Sequence, residues 1–147
     1  MLLIINGIAG TGKSYLINSL RAELLDKCVI TGTTEKASYM IRGTTIHSLL
    51  KLPITPHSQK ELSGKALLDL QDKLSNMNYT FIDEYSMLGQ TTLGWIDRRC
   101  RQSSGVKEKL SGGKSIILIG DPGQLPPVGA KPLYHEKPSN IIGEQGY

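Results

Sequence analysis

Absences narrow the possibilities first. The sequence holds only two cysteines, Cys28 and Cys100, and they form no C-x-x-C pair. That argues against a disulfide scaffold or a zinc site, and a reducing, intracellular setting is the expectation. No run of residues is long and apolar enough to span a membrane, so no membrane partner is expected. Met1-Leu2-Leu3-Ile4-Ile5 is apolar, but no basic run precedes it and it is too short for the apolar region of a signal peptide. With no targeting segment visible, the expected compartment is the nucleus or mitochondrion in a eukaryote and the cytoplasm otherwise. There is no internal repeat and no low-complexity tract. Charge is only mildly one-sided: 17 Lys+Arg against 13 Asp+Glu give +4, which permits nucleic acid as a partner without demanding it.

What is present is an ordinary globular composition, 39% hydrophobic and 20% charged over 147 residues, enough for one domain with a core. Leu2 to Asn6 reads as a short buried strand that stops at Gly7. From Lys13 the period turns helical, with Leu16, Ile17, Leu20 and Leu24 on one face. Cys28 to Thr31 is the next strand, Lys36 to Ile41 a short helix ending at Gly43, and a second short helix begins near Thr45. Residues 53–60 carry two prolines and read as a surface loop. Leu62, Ala66, Leu70 and Leu74 predict an amphipathic helix. Tyr79 to Asp83 is a strand ending in two acids, and Gln90 to Gln102 a helix with Leu93, Ile96 and Cys100 facing in. Ser115 to Gly120 is an apolar strand followed by a Pro/Gly-rich loop. The tail after Lys131 has no clear period. Apolar strands alternating with helices predict a parallel sheet covered on both faces.

Gly7-Ile8-Ala9-Gly10-Thr11-Gly12-Lys13-Ser14 fits the phosphate-loop pattern G-x-x-x-x-G-K-[ST], with a strand before it and a helix after. Glycines let the backbone wrap phosphates and point N–H groups inward, and the helix N-terminus adds a favourable dipole. Lys13 would reach the β- and γ-phosphates and Ser14 would hold Mg²⁺. A Gly-rich turn that binds nothing is the bland alternative, but a chance match in this strand-to-helix setting is rare. The loop implies a P-loop NTPase fold, α/β with a RecA-like parallel sheet; it leaves the chemistry open among kinases, GTPases and motors.

Asp83 and Glu84 follow the apolar strand Phe81-Ile82, and strand ends in an open parallel sheet converge on the ligand. Asp83 would coordinate Mg²⁺ through water, and Glu84 would orient and deprotonate the attacking water. An acidic pair alone is commonly a solvated strand end. A phosphotransferase passing phosphate to a substrate has no need of the second acid. Gly120-Asp121-Pro122-Gly123-Gln124-Leu125-Pro126-Pro127 ends another strand; Gln124 there can hydrogen-bond the γ-phosphate and sense its loss. By itself that loop would pass for a stiff turn.

Taken together and in order, GIAGTGKS, GTTIHS (Gly43 to Ser48), IDEYSM (Ile82 to Met87) and GDPGQLPPV (Gly120 to Val128) resemble the petite-integration-frequency ("Pif-type") DNA helicases of superfamily one, in particular the copies carried by rolling-circle transposons. The resemblance covers nearly the whole chain, and the second and fourth motifs are far more specific than the phosphate loop. It implies ATP-dependent 5′-to-3′ unwinding of DNA with Mg²⁺, acting on single-stranded DNA and duplex junctions in repair, recombination, telomere maintenance or transposition. It also implies a single-strand contact near Thr45, Ile46 and His47, and Gln124 as γ-phosphate sensor. His47 reads equally well as a helix-start histidine satisfied by backbone, and Arg98, Arg99 and Arg101 as a solvated helix face.

Three departures from the family pattern bear on function. Glu35 stands where the family usually has glycine, in a loop expected to approach DNA, so it is expected to weaken that contact or distort the turn. The family's adenine-binding glutamine segment before the first strand is not seen. The second motor domain with its arginine fingers, worth about 10³ to 10⁵ in rate, is not seen either. The expectation is therefore a single RecA-like ATP-binding domain, weak or inactive in unwinding by itself. The rivals are a truncated, non-catalytic ATP-binding remnant and a P-loop phosphotransferase or GTPase; the absence of an N-K-x-D guanine motif argues against a GTPase.

Overall fold

The computed structural model describes residues 1–8, 10–55 and 60–134. Five strands form one sheet in which every pairing is parallel: β1 (Leu2–Asn6), β2 (Cys28–Gly32), β3 (Thr44–Thr45), β4 (Tyr79–Asp83) and β5 (Ser115–Gly120), in the spatial order β1-β5-β4-β2-β3. Among the described residues five α-helices connect them: α1 (Lys13–Leu24), α2 (Glu35–Met40), α3 (Ile46–Leu50), α4 (Gly64–Leu74) and α5 (Gln90–Ser104). Among the described residues no helix is long and apolar enough to cross a membrane.

Side chains alternate across the pleat, and two cores result. Ile82, Ile116 and Leu118 face α3, α4 and α5, packing with Ile46, Leu49, Leu50, Leu70, Leu74, Trp95, Ile96 and Cys100. Phe81, Ile117, Ile119 and Ile30 face the other way, onto Ile17 and Leu20 of α1. The sheet is thus covered on both faces, as its alternating strands and helices predict. Each fully buried Ile or Leu stabilises the fold by about 1.5–3 kcal/mol.

The register brings one end of every strand to a common edge. Asn6 lies beside Gly120, Asp83 beside Ile119, and Gly32 beside both Asp83 and Thr45. A Cβ on Gly43 would come within 2.3 Å of the Ile30 carbonyl oxygen, so only glycine lets the chain enter β3 this close to β2.

Two expectations fail. β1 is not a buried strand: it sits at a sheet edge, pairs only with β5 among the described residues, and leaves Leu2, Leu3 and Ile4 between 44% and 48% exposed. An apolar run encodes a strand that prefers cover on both faces, but it does not supply the cover. Nor is Arg99 part of a solvated face. It is buried, Arg98 is half-buried against the Trp95 ring, and Arg101 is half-buried in a 2.7 Å ion pair with Asp97. The physical reason is that α5 packs on two sides, against α4 and against the segment that precedes β5.

Candidate functional site

The phosphate loop leaves β1 at Asn6 and enters α1 at Lys13. Gly7 donates its N–H to the Gly120 carbonyl at 3.0 Å, which ties the loop's first residue to the end of β5. Gly10 and Gly12 hold left-handed backbone at φ 80° and 87°, and Gly12 serves as N-cap of α1. A β-carbon there would cost roughly 1–2 kcal/mol. Thr11 Oγ1 donates to the Ile8 carbonyl at 2.7 Å, and Lys13 Nζ donates to the carbonyls of Gly7 and Ile8. The ammonium is thereby folded into the centre of the loop. Ser14, in the first turn of α1, is exposed. Ala9 lies outside the described residues.

The acidic pair closes the facing side. Asp83 ends β4; its Oδ1 accepts the Glu84 N–H at 2.9 Å. Burial pushes the Asp83 carboxyl above the usual carboxylate range, the Glu84 charge adds to the rise, and the backbone hydrogen bond and the Lys13 charge oppose it. Glu84 sits at φ 59°, ψ 44°, left-handed for a side-chain-bearing residue. Such strain persists only where neighbours over-determine it. Here Thr33 does so, donating its hydroxyl to the Glu84 carbonyl at 3.0 Å and its N–H to the Asp83 carbonyl at 3.3 Å.

Gln124 is exposed on the loop after β5, and that loop is stiffened by Asp121, whose Oδ1 accepts the Gly123 N–H at 2.9 Å. Gln124 shares a cleft of about 490 Å³ with Glu84, Met87, Gly123, Leu125 and Pro126. One edge of the sheet therefore carries Lys13, Asp83, Glu84 and Gln124. Chemically it offers a cation at a helix N-terminus, a carboxylate whose charge burial disfavours, and a second carboxylate beside an amide across open space.

Thr45, Ile46 and His47 are placed less simply. Thr45 is buried and caps α3, its Oγ1 accepting the Ser48 N–H at 3.1 Å; Ile46 is fully buried in the core. Those two side chains are already engaged, the first as the cap of the short helix and the second as cover for the sheet. His47 is half-buried and Ser48 exposed. Burial lowers the His47 pKa, which favours the neutral imidazole. Glu35 does not distort its turn. It is the first residue of α2, where Thr34 Oγ1 accepts the Ala37 N–H at 3.1 Å, and an exposed acid in a first turn is favourable to the helix.

Sequence reasoning missed three supports of this edge. Tyr85, buried, donates its hydroxyl to Asn6 Oδ1 and so joins the acidic turn to the root of the phosphate loop; burial and the Asp121 charge raise its pKa. Thr33 is the third. The one available hint was the polar residue Asn6 closing an otherwise apolar run.

The family model described as PIF1-like helicase matches residues 1–144. The chain is 33% identical over 140 residues to the ATP-dependent DNA helicase Pif1 of Psychrobacter, covering 88% of this chain and 20% of that protein. It is 34% identical over 132 residues to the ATP-dependent DNA helicase PIF4 of Trypanosoma brucei, covering 84% and 16%. Among solved structures, Bacteroides Pif1 bound to ssDNA superposes with a TM-score of 0.74 at 32% identity over 86% of this chain and 30% of that one. Bacteroides Pif1 with ADP-AlF3 and ssDNA gives 0.75 at 31% identity, over 88% and 30%. The chain thus spans about a fifth of the length of the first curated relative it matches. With the four motifs, the parallel sheet and these matches in agreement, the chain belongs to the PIF1-like helicase family.

Proposed function

We propose that these residues act as the first, RecA-like motor domain of an ATP-dependent DNA helicase that moves 5′-to-3′ on single-stranded DNA. The observation that carries the reading is the meeting of Lys13, Asp83, Glu84 and Gln124 at one sheet edge. The relatives named as bound to ssDNA and to ADP-AlF3 support both ligands. ATP would lie along Gly7–Ser14, its phosphates on the loop's N–H groups and on the Lys13 ammonium, which would exchange the Gly7 and Ile8 carbonyls for phosphate oxygens. Glu84 would take a proton from the water that attacks the γ-phosphorus, and ADP would leave with the bridging oxygen. The Gln124 amide would donate to the γ-phosphate and lose that partner after hydrolysis.

Magnesium fits the residues present. Among the described residues no three His, Cys, Asp or Glu side chains gather into a protein-only cage. One carboxylate, Asp83, and one hydroxyl, Ser14, are the donors, and magnesium habitually pairs one or two carboxylates with substrate phosphates and water. The raised pKa of Asp83 marks a carboxylate that a cation would relieve. When bound, the ion would offset charge on the β- and γ-phosphate oxygens.

Single-stranded DNA, and beyond it a duplex junction, would meet the edge at Thr44–Ser48, through backbone groups, Ser48 and His47 rather than the Thr45 and Ile46 side chains. Repair, recombination, telomere maintenance or transposition are the settings this chemistry suits. Unwinding takes two motor faces closing on one nucleotide, and these residues supply one, so slow hydrolysis and no strand separation are expected of them alone. Titration with a fluorescent ATP analogue tests the reading. Lys13→Ala should weaken binding by roughly 100-fold or more, since a charge-assisted contact to phosphate contributes about 1.5–3 kcal/mol and Lys13 makes more than one. Equal affinity would remove the assignment, and ATP-dependent separation of a 5′-tailed duplex by this chain alone would overturn the need for a second face.

A further inference from the structure

Arg99 is a buried cation that none of the nucleotide chemistry uses. It lies at 2% exposure inside α5. Its partners are neutral: Nε donates to the carbonyls of Leu50 at 3.2 Å and Lys51 at 3.4 Å, Nη2 to those of Lys51 at 3.2 Å and Lys60 at 3.1 Å, and Nη1 to Gln102 Oε1 at 3.1 Å. The Trp95 ring stacks against it, 4.9 Å from the guanidinium carbon. Burial lowers its pKa and the Glu61 charge opposes the fall, yet a guanidinium stays charged at any ordinary pH.

Leu50 and Lys51 are the end of α3. That helix has five residues, too few to be stable by itself. It terminates in left-handed backbone at Lys51, φ 51°, without a glycine. Its terminal carbonyls carry the negative end of the helix dipole, and Arg99 places a full positive charge on them. The planar fork reaches both carbonyls at once, which an ammonium could not do. Thr45 caps the start of α3, His47 is its second residue and Ser48 its middle one. α5 itself begins only six residues after Glu84, so one helix references both ends of the proposed site.

We propose that Arg99 is a positioning residue for nucleic acid: by clamping the end of α3 to α5 it fixes the Thr45–Ser48 edge in the posture that receives single-stranded DNA, without touching DNA or nucleotide. This rests on the reading of that edge as the strand contact. Five hydrogen bonds from three nitrogens and a ring contact hold the guanidinium, three of those bonds reaching the end of α3, and the side that presents His47 and Ser48 is held besides by the Thr45 cap, the pairing of β3 with β2 and the buried Ile46, Leu49 and Leu50.

The test uses the chain with Arg99→Lys and Arg99→Met, and a fluorescein-labelled 15-nucleotide oligo-dT beside a fluorescent ATP analogue with magnesium. Trp95 is the chain's single tryptophan, so its emission reports directly whether the clamp is broken. With far-UV circular dichroism unchanged and Trp95 emission shifted, nucleotide affinity should stay within about twofold, while oligo-dT affinity falls roughly tenfold in Arg99→Met, the equivalent of about 1.4 kcal/mol, and less in Arg99→Lys. Amide exchange at residues 47–52 should quicken while β4 and β5 stay protected. DNA affinity unchanged in either folded variant, or DNA and nucleotide affinities falling together in step with the melting temperature, would overturn the proposal; should Arg99→Met not fold, Arg99→Lys decides. A parent chain that binds the nucleotide but no oligo-dT would instead overturn the reading of the α3 edge, and this inference with it.

Discussion

Gly7 and Gly12 are both phosphate-loop glycines, yet the structure gives them opposite reasons to be glycine, and that difference can be measured. A β-carbon on Gly12 meets nothing within 4 Å; the obstacle there is φ 87°. Gly7 has no left-handed backbone, but its added β-carbon would stand 2.5 Å from Thr11 Oγ1, where ordinary contact begins at 3.4 Å, and 3.4 Å from Lys13 Cγ and Cδ. Gly7→Ala therefore forces the Thr11 hydroxyl away and breaks its 2.7 Å bond to the Ile8 carbonyl. Overpacking of this kind costs about 1–3 kcal/mol. The strain sits in the loop that would hold phosphate, so nucleotide affinity should fall by roughly 5- to 150-fold while the melting temperature moves by only a few degrees. Removing the obstacle should undo most of the loss. Thr11→Ala alone gives up one hydrogen bond, about 0.5–1.5 kcal/mol, and the double variant Gly7→Ala with Thr11→Ala should bind no worse than Thr11→Ala. A double-mutant cycle by fluorescent-nucleotide titration reads this coupling. Wild-type affinity in Gly7→Ala, or losses that simply add in the double variant, would refute the steric account.

Glu84→Gln should keep nucleotide affinity within about threefold and remove measurable hydrolysis, since the near-isosteric amide cannot accept the water's proton; phosphate release in single turnover checks it. Asp83→Asn should raise the melting temperature at pH 7 in magnesium-free buffer and abolish the magnesium dependence of nucleotide binding. The sign follows from the raised pKa of the folded carboxyl: its stabilising contribution is full below the ordinary carboxylate range and lost as pH rises through the folded value, so ionised Asp83 is a cost that asparagine removes. The difference between the two proteins should close below about pH 4. Cys28 and Cys100 are both free and buried, and burial pushes the Cys100 thiol up to about 12. The native chain should leave Cys100 unlabelled by a thiol reagent at pH 8, with both cysteines reacting after denaturation.

The chemistry-bearing motifs are legible in the sequence because each is local. Gly7–Ser14, Asp83-Glu84 and Gly120–Val128 each sit at the end of an apolar run, and strand ends in a parallel sheet share an edge. What stays hidden is non-local. The bond from Thr33 to Glu84 spans 51 positions and that from Tyr85 to Asn6 spans 79, and no period in either segment announces them. Arg98, Arg99 and Arg101 look alike as letters, yet only Arg99 finds the end of α3, a helix whose position α5 does not encode. Thr45 and Ile46 carry the family motif, but helix capping and core packing already claim their side chains. Glu35 looked like a flaw because a departure from pattern was visible and the Thr34 cap beside it was not.

The exposed edge strand has a consequence for how the phosphate loop is held. Among the described residues β1 pairs with one neighbour, and four of its five residues are exposed. Strands of that kind fray in sub-global openings well below the free energy of complete unfolding. The loop from Gly7 to Lys13 hangs from β1, so every fraying event dissolves the phosphate cradle while β4, β5 and their acids persist. Nucleotide would then act as a clasp on this exposed edge strand, binding the closed form and depleting the frayed one by mass action. Affinity measured on warming should decay ahead of the loss of the fold, because the binding-competent fraction falls first.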